Sequence, residues 1–213
     1  MCIRDRFQDD QIGSILAASM VGTIHDGDKD VPQWGSVVRC LFKSEIIRCN
    51  HVAFPTDIYF AEDLVFTLRY LSIIKKAIIC DQALYRYRCN TESIMNSFFS
   101  YKSEMFHERK KLISYIEDII TEFPCQEELS KRLHITARCY YRDCVGNACR
   151  PGKGRTSDEK KLELREILND SDVKEIFKKF DTKDKRTKII YLLIKYRLAS
   201  IIYIYYYYRF KKR

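Results

Sequence analysis

Two adjacent carboxylates, Glu62 and Asp63, stand just ahead of an apolar stretch in which Leu64, Leu68 and Leu71 recur at helical spacing. At the start of a helix the positive end of the dipole favours the charged form of an acid. A carboxylate kept ionised at neutral pH can take the proton of a hydroxyl brought within hydrogen-bond reach. The same two acids can equally cap the helix, and residue types alone leave both roles open. Further along, Arg86 and Arg88 alternate with Tyr85 and Tyr87. In a strand, period two puts both arginines on one face. Guanidinium groups there suit a diphosphate, and the competing reading is a solvated strand face.

The nine cysteines are less eloquent. Their odd number, with no apolar signal segment at the start of the chain, points to a reducing compartment. There is no Cys-x-x-Cys pair. Cys139, Cys144 and Cys149 recur every five residues, which turns successive ones roughly 140° apart on a helix. His25, His51, His107 and His134 show no ligand spacing. The preferred reading is small buried apolar residues rather than a zinc site.

The elements that must position these groups change character along the chain. Residues 11–24 read as a helix running into a strand, and His25 to Asp30 as a polar turn. From Trp34 the pattern is mixed α/β: a short apolar run at 37–42, a helical turn at 43–47, a loop through Pro55, and a helix over 62–74. Two short strands, 77–80 and 83–88, are split by Asp81-Gln82. After Ser100 the chain reads as helices over 102–122, 126–149, 156–168 and 170–180, with Thr156 to Glu159 forming a capping box, and a last one over 186–210. Residues 1–6 (MCIRDR) resemble translated sequencing adapter, so the natural chain is expected to continue upstream.

Charge divides the chain differently. Residues 174–213 hold 13 basic residues against three acidic, a net +10, while the other 173 hold 25 against 26, a net −1. Seven of the 15 tyrosines lie in that tail. At 46% apolar the chain is not disordered. A neutral body with a basic end fits a tether better than a uniformly basic nucleic-acid binder. Lys195 and Arg197 interrupt the apolar run, so the tail fits an interfacial helix on anionic lipid better than a bilayer span. A helix packed on the body is the other reading.

Five pieces in order carry a resemblance: Trp34; Leu41-Phe42-Lys43; Glu62-Asp63; Leu84-Tyr85-Arg86-Tyr87-Arg88; and Ser93-Ile94. Together they resemble the second half of a family 2 glycosyltransferase domain of the kind that builds bacterial surface polysaccharides, over roughly residues 7–98. The resemblance implies an α/β fold: a partial, C-terminal half of a GT-A-like domain in 1–98, followed by a mostly α-helical extension (99–180) and a basic aromatic tail (181–213). It implies an inverting transfer from a nucleotide-sugar donor to a glycan or lipid-linked acceptor. Asp63 would be the base, with Glu62 orienting the loop or meeting the acceptor. Trp34 would lie on the acceptor side, unless it is an ordinary core tryptophan; Arg39 could reach the same cleft, and Arg86 and Arg88 could meet the diphosphate.

One part of the family pattern is missing. The divalent metal (Mg or Mn) that offsets leaving-group charge is held in that family by an Asp-x-Asp motif in an upstream nucleotide-binding half. Asp9-Asp10 lies close to Trp34, and Asp26-x-Asp28 follows no convincing strand, so both read as loop acids. The expectation is therefore a glycosyltransferase fragment, inactive alone, peripheral on the cytoplasmic face of the cell membrane and binding no nucleic acid. The alternative is a non-catalytic membrane-peripheral or protein-interaction module.

Overall fold

The computed structural model describes residues 3–23, 36–80, 82, 84–86, 100–152 and 154–211. Among these, helices dominate and the sheet is small. Strand β1 (Ile3–Gln8) pairs antiparallel with β2 (Lys76–Cys80), from Gln8 opposite Lys76 to Ile3 opposite Cys80, with an irregularity between Ile3 and Asp5. The Asp9 N–H extends the ladder to the Lys75 carbonyl at 3.0 Å. β1 takes in residues 3–6, part of the stretch that resembles adapter sequence.

The described residues form two compact units. One draws on described residues within 3–23, 36–86 and 110–136; the other on 100–109 and 137–211.

In the first unit, a π-helical segment (Ile12–Ala17) leads into α1 (Ala18–Val21). The strand expected next is not formed at Gly22 and Thr23. Gly22 has φ +157°, and a Cβ there would meet the Thr136 hydroxyl at 2.0 Å. That hydroxyl donates to the Val21 carbonyl at 2.8 Å, and Arg132 donates to the Gly22 carbonyl at 3.0 Å. Side chains thus take the carbonyls that a ladder would have used.

Helix α2 (Ser44–Cys49) ends at His51, whose φ is 51°. The Val52 N–H returns to the Ile47 carbonyl (3.0 Å) and the His51 N–H to that of Arg48 (3.4 Å). This is a Schellman closure made without glycine. It turns Val52 into an apolar cluster with Phe66 and Tyr70, against which Val37, Phe42, Ile46 and Ile47 pack. Helix α3 (Glu62–Leu71) supplies Phe66 and Tyr70, and buries seven of its ten residues. Leu68 is fully enclosed, worth about 1.5–3 kcal/mol of apolar transfer. Phe42 meets Phe66 and Tyr70 edge-on, and Phe54 stacks on Phe66.

Helices α4 (Met105–Ile120) and α5 (Gln126–Ala148) supply residues to both units. The second unit adds α6 (Ser157–Asn169), α7 (Ser171–Ile176), α8 (Lys185–Lys195) and α9 (Ala199–Lys211). The capping box forms: Thr156 Oγ1 accepts from the Glu159 N–H and Glu159 accepts from the Thr156 N–H. Asp170 caps α7 by accepting from the Asp172 and Val173 N–H groups, and Asp184 caps α8 by accepting from that of Thr187, both without a reciprocal bond. The buried Arg138 donates to the Ile176 and Lys179 carbonyls, placing its charge at the negative end of α7. Tyr191 lies fully buried between the edges of Phe177 and Phe180.

The single last helix expected over 186–210 is two. Arg197 has φ 55°. Its N–H bonds the Ile194 carbonyl (2.9 Å) and the Leu198 N–H bonds that of Leu193 (3.0 Å). A second glycine-free Schellman closure therefore separates α8 from α9. Periodicity misses it because a left-handed arginine leaves no mark in the apolar pattern. Among the described residues no helix is long and apolar enough to cross a membrane.

Candidate active site

The N-terminus of α3 brings together more of the expected residues than any other place in the described chain. Its N-cap, Ala61, has φ 58° and no side-chain cap. The first helical bonds come from the Leu64 and Val65 N–H groups to the Ala61 carbonyl. Glu62 and Asp63, both half-buried, fill the first turn. The capping role therefore does not occupy Asp63. Its Oδ2 instead accepts, at 3.4 Å, from the N–H of Val37, 26 residues earlier.

Val37 opens a 3-10 turn, Val37–Arg39. A second bond, from the Lys43 N–H to the Tyr70 hydroxyl (2.9 Å), holds the far end of this segment on α3. Exposed Arg39 closes the turn. Cys40 follows, its thiol on the Ser36 carbonyl at 3.6 Å. Burial pushes that thiol above its ordinary value; the Arg39 charge pulls it down, and Asp63 adds to the rise. Arg39 and Asp63 thus act on one sulfur from opposite signs. Cys40 is the residue of this group that sequence reasoning missed, and its place next to Arg39 was the one signal available.

Arg86 is exposed in a stretch, 84–86, that is not a strand. The Leu84 N–H turns back to the Gln82 carbonyl at 2.9 Å. The expected strand over 83–88 is therefore corrected at its described residues, and with it the argument that alternation aligns Arg86 with Arg88. A strand needs a paired neighbour, and among the described residues none pairs with 84–86. Trp34 and Arg88 lie outside the described residues, as do Tyr87, Ser93, Ile94 and the Asp26-x-Asp28 sequence.

A cleft of about 350 Å³ opens on another side of α3, lined by Asn50, His51, Phe54, Val65, Arg69 and Tyr115 among others. Val65 stands two positions after Asp63, roughly 200° around the helix, so cleft and carboxylate do not share a face. Sequence reasoning assigned nothing here. Asp57 accepts from the Tyr115 hydroxyl (2.8 Å) and pairs with Lys111 (2.9 Å), and these bonds hold its carboxyl below its ordinary value. Arg69 pairs with Glu122, which also accepts from Ser72. The pairs are largely solvent-facing, where such bridges contribute little.

In the second unit, burial raises the Cys144 and Cys149 thiols to about 12, as expected of cysteines acting as apolar fillers. Among the described residues no three His, Cys, Asp or Glu side chains converge as metal ligands. Asp9 and Asp10 sit where β1 meets the π-helical segment. No family model, no curated protein and no solved structure matches this chain.

Proposed function

We propose that this chain carries the acceptor-side, C-terminal half of a GT-A-like, family 2 inverting glycosyltransferase of cell-surface polysaccharide synthesis. The observation that carries the reading is Asp63: a half-buried carboxylate at a helix start, not spent on a cap, with the Arg39 turn fastened to it.

In this reading Asp63 takes the proton of the acceptor hydroxyl as its oxygen attacks the anomeric carbon. The new C–O bond forms as the bond to the diphosphate breaks, and the nucleoside diphosphate leaves with the electron pair. A carboxylate base contributes about 10²–10⁴-fold to such a step. Glu62 meets the acceptor or orients the loop, Trp34 and Arg39 line the acceptor side, and Arg86 and Arg88 approach the diphosphate. Among the described residues no three His, Cys, Asp or Glu side chains could hold the implied divalent cation; in this reading the cation belongs to an upstream half. The enzyme works at the cytoplasmic face of the cell membrane.

The test is Asp63→Asn in the chain extended by its upstream reading frame, which should carry the nucleotide-binding half. Transfer is expected to fall to background with donor binding unchanged; substantial turnover by the variant overturns the base assignment. A non-catalytic module is favoured by a different observation, the uncovered apolar stripes of α8 and α9. An upstream frame without a nucleotide-binding half would decide for it.

A further inference from the structure

Helix α9 is apolar on two opposite sides. Ile202 and Tyr206 form its buried stripe, and a Cβ on Gly146 would stand 3.1 Å from the Tyr206 ring. Burial raises the Tyr206 hydroxyl above its ordinary value. The other stripe is Ile201, Ile204, Tyr205 and Tyr208, at the spacing of one helical face. Ile204 is 54% and Tyr208 60% exposed. Helix α8 repeats the arrangement: Ile190, Tyr191 and Ile194 are buried, while Ile189, Leu192 and Tyr196 face outward. A helix in water normally needs one apolar face, already supplied here by packing. The second faces are unexplained by folding.

We infer that the outward stripes of α8 and α9 form a docking surface for an anionic phospholipid bilayer, on which the helices lie without crossing. Charge selects this occupant. From Lys185 to Arg213 there are nine basic residues and no acidic one. Such a surface repels a second copy of itself and attracts anionic headgroups. Aliphatic side chains enter the acyl boundary, and tyrosines suit the headgroup level. Four of the seven stripe residues, Ile189, Leu192, Ile201 and Ile204, are aliphatic and give nucleic-acid bases nothing to stack on, whereas single-strand binders rely on aromatic platforms. Lys188 and Lys211 are exposed and flank the stripes. The inference holds whether or not the chain belongs to a transferase.

The experiment is flotation of the full chain with phosphatidylcholine vesicles and with vesicles of equal parts phosphatidylcholine and phosphatidylglycerol. Binding is expected to the second alone and to weaken as salt rises. At roughly 1 kcal/mol per basic residue near the surface, Lys188→Gln with Lys211→Gln should lower affinity about tenfold or more. Ile201→Ser with Ile204→Ser should lower it further, with circular dichroism and melting unchanged because both residues are exposed. The wild-type salt dependence keeps the test independent of any variant's folding. Equal binding to neutral vesicles, no vesicle binding, a salt-insensitive complex, tighter binding to an oligonucleotide than to vesicles, or self-association abolished by the serine variants would each overturn it.

Discussion

Helices α3 and α6 both begin with two acids, Glu62-Asp63 in one and Asp158-Glu159 in the other, yet the acids do different work. At α6 the preceding residue is Thr156 in extended conformation, and Glu159 closes a reciprocal box with it. The Thr156 N–H and hydroxyl hold the Glu159 carboxyl below its ordinary value. At α3 the preceding residue is Ala61, left-handed and without a side-chain acceptor. Asp63 is turned instead towards a segment 26 residues away. An acid in a first turn is therefore spent locally or left for other chemistry according to the residue before it. A hydroxyl at the N-cap consumes the acid, and an alanine spares it.

The contrast breaks most visibly in activity. If Asp63 is the base of a transfer reaction, Asp63→Asn in the upstream-extended chain should cost about 10²–10⁴-fold in turnover, while Glu159→Gln should leave turnover unchanged. Stability should show the reverse order. Thr156→Ala removes a cap worth about 1 kcal/mol, and a thermal melt should fall by about 2–4 °C. Asp63→Asn keeps an oxygen for the Val37 N–H and should shift the melt less than Thr156→Ala does. If the two variants destabilise equally, Asp63 is a structural residue and the contrast fails.

Titration sharpens the same comparison. Glu159 is depressed in the folded state from its ordinary 4.5. A depressed acid contributes stability above its unfolded value and loses it as pH falls through the folded one. The gap in melting temperature between wild type and Glu159→Gln should therefore be full at pH 6–7. It should begin to close below 4.5, and vanish once the folded-state carboxyl is protonated. A gap that persists in strong acid would mean that the variant acts through packing rather than charge.

The legible parts of the chain were those with local causes. Thr156 and Glu159 announce a capping box by their spacing, and the box is present. The apolar period of Leu64, Leu68 and Leu71 foretold α3, and Pro124 and Pro151 stand just past α4 and α5. What stayed hidden depends on partners far along the chain or on backbone conformation. The Val37 bond to Asp63 joins two pieces read separately, and the cleft by Phe54 and Tyr115 draws on three elements. The strand expected at 83–88 had the right residues, but its described part, 84–86, pairs with no described neighbour. Two helix ends, at His51 and Arg197, use left-handed residues where a glycine would have flagged the turn. At the candidate site, Glu62 and Asp63 were named from motif order and Arg39 as able to reach the same cleft as Trp34; Cys40, on which Arg39 and Asp63 both act, was not.

The smallest effect tests the residue that separates α3 from α6. Ala61 holds φ 58°, a region that costs an L-residue roughly 1–2 kcal/mol and glycine almost nothing. Ala61→Gly relieves that cost but adds freedom to the unfolded chain, which takes back about 0.4–1 kcal/mol. The net should be a gain of about 0.5 kcal/mol, read as a small rise in the chemical-denaturation midpoint with unchanged slope. Ala61→Thr should go the other way, because a β-branched residue tolerates the left-handed region poorly. To avoid it the backbone would have to become extended, the conformation of Thr156 at α6. A threonine that is accommodated without loss would mean that α3 can start as α6 does, with its acids drawn into a cap. Asp63 would then owe its availability to nothing more than the identity of residue 61.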